Sequence, residues 1–136
     1  MCIINENIYL AGGISNSISV DPQPLRDFYK FDTENLNWYG LKVSGDLPSN
    51  FYNHIMIKIL ENKILIIWDG QEEVKFTVWD LEKMKCNKTN IKSQIKKPVF
   101  YAFCEGEKLH MIGKLKDKNQ LIIETIPFNA IIEQII

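Results

Sequence analysis

The stretch Ile8-Tyr9-Leu10-Ala11-Gly12-Gly13, followed after a polar loop by Asp27-Phe28-Tyr29-Lys30-Phe31-Asp32-Thr33 and then Trp38, decides the fold. Ile8 to Ala11 is apolar, rich in strand formers and too short for a helix, so it reads as a buried strand. Two glycines close it, where positive φ or close backbone approach is needed. Phe28 to Phe31 reads as a second, aromatic strand. Asp32-Thr33-Glu34-Asn35 is a turn in which Asp and Asn side chains bond their own backbone. Trp38 to Val43 is the next strand, with Trp38 as its large apolar anchor. Upstream, the short run Cys2-Ile3-Ile4 is closed by the turn formers Asn5-Glu6-Asn7. The segment Ile14 to Arg26 reads as a long loop, because its serines together with Asn16, Asp21, Pro22 and Pro24 disfavour regular structure.

The plan then returns. Ser44 to Asn50 is a loop. Ile55, Ile57 and Ile59 alternate with Met56 and Lys58 in a strand of period two. Glu61-Asn62-Lys63 mirrors the first turn, Ile64 to Trp68 the strand before the glycines, and Asp69-Gly70 the glycine pair. Val74 to Trp79 ends in Trp79-Asp80, the counterpart of Phe31-Asp32, and Cys86 stands where Trp38 stood. A weaker third copy runs from Val99 to Phe103, through the turn Glu105-Gly106-Glu107-Lys108, to Leu109–Ile112 and Gly113. After the charged hairpin Lys114 to Gln120, Leu121 to Ile126 is a strand, and Ile131-Ile132 are expected to begin the last one. Aligning Ile8, Ile64 and Leu109 gives steps of 56 and 45 residues, the longer one carrying the loop after Gly13.

A four-strand unit repeated at this spacing is the mark of a propeller blade, which cannot bury its own faces and must stack on neighbours. The markers resemble the kelch repeat: a double glycine after the second strand, an aromatic-Asp pair at the end of the third, and a Trp six residues on. In the loop between units, Gly45 and Pro48 match the family pattern, Phe51 replaces its Arg, and His54 stands at its His. The first unit matches well, the second has Asp69 and Cys86 in place of Gly and Trp, and the third keeps Gly113 and the spacing. The pairs Trp68-Asp69 and Trp79-Asp80 fit a WD repeat less well, because they lie eleven residues apart in one unit and no Gly-His precedes them as that repeat requires. The resemblance implies an all-β fold of antiparallel four-stranded kelch-type blades, in units of approximately 1–50, 51–96 and 97–136. Three units are an incomplete propeller, since closed rings have about four to eight blades. Open faces and edges predict self-association or missing blades, and the apolar C-terminus Ala130 to Ile136 predicts a truncated or partner-capped sheet.

Composition narrows the function. The 136 residues carry a net charge of −1, which gives no electrostatic reason to expect nucleic acid or a membrane surface. The lysines 83, 85, 88, 92, 96 and 97 read as a solvated face. Cys2, Cys86 and Cys104 form neither a Cys-x-x-Cys pair nor a cluster with histidine, so no disulfide framework and no metal site is expected. No charged-then-apolar leader opens the sequence, and no apolar run approaches the roughly 18 residues of a membrane span. The expectation is a cytoplasmic protein. Asn87-Lys88-Thr89 fits a glycosylation acceptor only by a three-residue match, and is discounted there.

No residue set suggests catalysis. Gly12-Gly13 is not followed by Gly-Lys-Ser/Thr, so it is no phosphate loop. Asp32 and Asp80 could pass for paired carboxylates, but their equivalent places argue for a repeated turn. Cys86 and Cys104 lack an activating neighbour, Trp38, Trp68 and Trp79 read as core rather than an aromatic cage, and His110 reads as a strand-face residue. Galactose-oxidizing relatives need copper-binding His and Tyr with a Tyr-Cys pair, a pattern the two histidines here do not support. The resemblance therefore implies a non-catalytic protein-interaction scaffold without cofactor. Gly12, Gly13, Asp32, Trp38, His54, Gly70 and Asp80 are its repeat-structural residues, and Arg26, Phe51, Tyr52 and Asn53 its partner-binding loop residues. The alternative is a piece of a propeller oxidoreductase or hydrolase whose catalytic residues lie in missing blades.

Overall fold

The computed structural model describes residues 1–15 and 23–135. Within them the chain forms β1 (Cys2–Ile4), β2 (Asn7–Ala11), β3 (Ile14–Ser15), β4 (Gln23–Pro24), β5 (Phe28–Asp32) and β6 (Asn37–Leu41). The first blade is the antiparallel sheet β1-β2-β5-β6. Its first hairpin turns through Asn5 and Glu6, both at positive φ, in the type I′ geometry that suits twisted strands. The sequence reading of Ile14 to Arg26 as irregular is corrected at its two ends, where Ile14 pairs with Pro24 and Ser15 with Gln23. Its middle, with Asp21 and Pro22, lies outside the described residues.

The second blade contains β7 (Ser44–Gly45), β8 (Ile55–Leu60), β9 (Lys63–Asp69), β10 (Val74–Asp80) and β11 (Lys85–Lys88) in the order β7-β11-β10-β9-β8. Ser44 and Gly45, read from sequence as loop, pair in parallel with Lys85 and Cys86 and so tie the end of the first unit to the outer strand of the second. The third sheet is β12 (Ile95–Glu105), β13 (Lys108–Leu115) and β14 (Leu121–Pro127). Its first strand begins at Ile95, so the boundary between 96 and 97 falls inside a strand.

The expected last strand at Ile131-Ile132 is instead the helix α1 (Phe128–Ile132), followed by a 3₁₀ turn at Glu133–Ile135. Phe128, Ile131, Ile132 and Ile135 recur at three- and four-residue steps, which places them on one side of a helix and not of a strand. Phe128 and Ile131 are buried in the core, so these C-terminal apolar residues are covered by the chain itself.

Successive side chains of a strand point to opposite faces, so the runs of apolar residues give each sheet two apolar faces, and the blades stack through them. Cys2, Tyr9, Ala11 and Phe28 of the first blade meet Ile64, Ile66, Trp79 and Cys86 of the second. On the other side of the second blade, Leu65, Ile67, Phe76 and Val78 meet Ile95, Leu109, Met111 and Ile126 of the third. Trp79 is the wedge of the first interface, edge-on to Tyr9 at 5.6 Å and to Phe28 at 4.7 Å between ring centres. Trp38 is not core: it is 58% exposed, because it lies on the face of the first blade that has no neighbouring sheet among the described residues.

If α1 closes the core, Ile131→Ala costs about 2–5 kcal/mol of unfolding free energy, the range for a fully buried aliphatic side chain. Asn129→Ala, on the exposed side of the same helix, costs under about 0.5 kcal/mol. Chemical denaturation of the two variants measures the difference.

Candidate functional site

The loops at one end of the first two blades converge on Gly12-Gly13. Gly12 N–H donates to the Asp27 carbonyl at 2.9 Å, and Leu25 N–H donates to the Gly13 carbonyl at 2.8 Å. Gly13 N–H donates to the Phe51 carbonyl at 2.6 Å, which joins the inter-blade loop to the glycine pair. A Cβ on Gly12, whose φ is +68°, would lie 2.1 Å from that same carbonyl oxygen. Asn50 Nδ2 donates to the Asp69 carbonyl at 3.2 Å and fixes the start of this loop to the second blade. The result is a rim whose backbone is held from three sides.

Three of the four sequence-predicted docking residues fall on this rim. Arg26 sits between the two residues bonded to the glycines and is exposed, as is Asn53 at φ 54°, while Tyr52 is half-buried. Phe51 is corrected: it is fully buried and packs its ring on Phe28 at 5.3 Å. Its place against the glycine pair, where no side chain intervenes, puts it in the inter-blade core. His54 packs against Phe51 with tilted rings whose centres are 4.7 Å apart. Burial holds its imidazole below the ordinary value, and its Nδ1 has no hydrogen-bond partner.

Asp32 and Asp80 do the same work in successive blades. Asp32 Oδ1 accepts from the backbone N–H groups of Glu34 and Asn35 at 2.9 and 3.1 Å. Asp80 Oδ1 accepts from Glu82 and Lys83, both at 3.0 Å. Each caps a four-residue loop that ends on a residue at positive φ, Leu36 in one and Met84 in the other. The second oxygens differ: Asp32 Oδ2 takes the Asn35 amide at 2.9 Å, and Asp80 Oδ2 takes Lys63 Nζ at 2.8 Å. Burial pushes the Asp80 carboxyl up, but Lys63 and the two amides outweigh it and hold the group below its ordinary value. Gly70, buried at the tip between β9 and β10, donates its N–H to the Glu73 carbonyl at 2.9 Å.

Burial, with Asp46 nearby, pushes Cys86 up to about 12, and burial also raises Cys2 and Cys104. His110 Nδ1 lies 2.8 Å from the Thr125 hydroxyl, and among the described residues no three His, Cys, Asp or Glu side chains converge as a metal site would need. No helix among them is long and apolar enough to cross a membrane.

A second feature was not legible as a site. Lys96 pairs with Lys114 across β12 and β13, and the hairpin that follows brings Lys116 and Lys118 beside them. With Phe100 these lysines line a groove of about 420 Å³. The sequence reading assigned Lys96 and Lys97 to a solvated face. Lys97 is in fact bound to the Gly70 and Gln71 carbonyls at 2.7 and 2.8 Å.

Two substitutions test this geometry. Gly12→Ala destabilises the chain by more than about 2 kcal/mol, since a left-handed backbone alone costs about 1–2 and the Phe51 carbonyl must also move. Gly106→Ala, at φ +58° with open space around it, shows only the backbone cost. Because the Asp80 carboxyl is lowered on folding, its contribution is present above its unfolded value near 3.8 and lost as pH falls through the folded value. Asp80→Asn is therefore less stable than wild type by about 1–3 kcal/mol at neutral pH, and the gap narrows in melts below pH 3.8.

Residues 1–41 match the family described as Kelch motif. No curated protein matches the chain. Among solved structures, that of YjhT, a kelch-type propeller, is similar with a TM-score of 0.71 and 12% identity, covering 94% of this chain and 48% of that one. The chain thus spans about half the length of the structure it matches, and at this identity the likeness speaks to fold alone. Together with the glycine pair, the repeated Asp caps and the stacked sheets, these matches show a Kelch motif in the first blade and the fold of an incomplete β-propeller over the chain.

Proposed function

We propose that the chain is a non-catalytic, cytoplasmic protein-interaction scaffold that presents the rim around Gly12-Gly13 to a protein partner. The observation that carries this reading is the three-sided anchoring of that rim. Gly13 is bonded to Phe51, Gly12 to Asp27 and Asn50 to Asp69, while Arg26 and Asn53 stay exposed between the anchors. A loop ordered before binding loses little conformational entropy when a partner docks. Arg and Tyr are also the residue types that most often dominate protein interfaces. Kelch repeats in general mediate protein–protein contacts, which favours the same reading.

The test is affinity capture from the source cell with the chain as bait, comparing wild type with the double variant Arg26→Glu/Asn53→Asp. Both positions are exposed and Asp tolerates the positive φ at 53, so the fold is retained. A protein held by wild type and by Lys116→Ala, and reduced about tenfold or more by the rim variant, is the expected result. Equal capture by all three baits rejects the rim as the docking surface.

A further inference from the structure

Among the described residues, each end of the three-blade stack presents an open apolar face. On the first blade, cross-strand pairing lines up Ile3, Ile8, Phe31 and Trp38, with Leu10 and Tyr29 beside them. On the third blade it lines up Tyr101, Ile112 and Ile123, with Phe103 and Leu121 beside them. Ile3 and Ile123 are each 66% exposed.

The two faces are not equivalent to each other. Each is equivalent to one side of the second blade. The first blade's row Ile8–Phe31–Trp38 takes the register of Ile64–Trp79–Cys86, the row by which the second blade packs on the blade before it. The third blade's row Tyr101–Ile112–Ile123 takes the register of Ile55–Ile67–Phe76, by which the second blade packs on the blade after it. One open face is therefore shaped to receive a preceding blade and the other a following blade. The stack also follows the curvature of about half of a propeller chain, since 94% of it superposes on 48% of YjhT.

We propose that a second copy of this chain covers both faces, the third blade of each copy stacking on the first blade of the other in a two-fold ring of six blade-like units. A head-to-tail contact closes only if its rotation completes a circle, and a half-circle arc does so with two copies. Six units lie within the range of closed propellers.

Sedimentation equilibrium of the 136-residue chain from about 1 to 100 μM is expected to give twice the 15.9 kDa chain mass. Trp38→Glu on one face and Ile123→Glu on the other each place an unpaired charge in the contact and raise the dissociation constant about 100-fold or more. Both side chains are exposed in the single chain, so each variant retains a cooperative melt. A folded monomer over this range, an open polymer, or dissociation by only one of the two variants overturns the proposal. The last outcome would mean a symmetric face-to-face dimer, and a folded monomer would leave the faces to other blades.

Discussion

A four-stranded sheet with alternating apolar residues has two faces to cover and nothing of its own to cover them with. The second blade meets this constraint by lying between the other two. Ile64, Trp79 and Cys86 point one way and Leu65, Ile67 and Val78 the other, and all are buried. Burial at about 25 cal/mol per Å² of apolar surface accrues only when a neighbour is in place, so the stability of each blade belongs to its interfaces. Trp79 concentrates this on one side, where a single indole touches both Tyr9 and Phe28.

Polar anchors and apolar faces divide the labour. Asp32 and Asp80 hold the loops at the outer strands, and Gly12-Gly13 holds the inter-blade loop. The glycine contact is possible only because no side chain stands between the β2 end and the Phe51 carbonyl. That absence lets Phe51 drop into the core and leaves Arg26 and Asn53 outside, so one backbone approach both seals the interface and shapes the rim.

Local chemistry was legible in the sequence, and non-local burial was not. The equivalence of Phe31-Asp32 and Trp79-Asp80 follows from spacing, because an Asx cap needs only the next three residues. The equivalence of Trp38 and Cys86 was also legible, but their burial was not, since it depends on whether another blade faces them. Phe51 was misjudged for the same reason: nothing in its own segment announces the glycines across from it. The lysine groove is assembled by the pairing of Lys96 with Lys114, two stretches that look independent in sequence. The C-terminal helix did carry a local signal, the steps from Phe128 to Ile131, Ile132 and Ile135, but a repeat frame that called for a strand there concealed it.

That helix also bears on how the outer side of the third sheet is covered. A propeller blade widens toward its outer strand, leaving a gap between neighbouring sheets at the periphery. At that periphery the first sheet ends on β6, whose residues are mostly exposed, and the second on β11 extended by β7. Among the described residues the third sheet has no fourth strand. In its place α1 inserts Ile131 into the core shared by the second and third sheets, while Ile132 and Ile135 lie beside Lys63, Asp80 and Lys85 of the second. Gln134 also accepts from the Asn90 backbone at 3.3 Å. A helix is about 10 Å across, so it can prop two sheets apart at their outer ends while their inner strands remain in contact. The outer face of β14, with Leu121 and Ile123, stays clear of the helix and so keeps the form of an internal blade surface with no neighbour among the described residues.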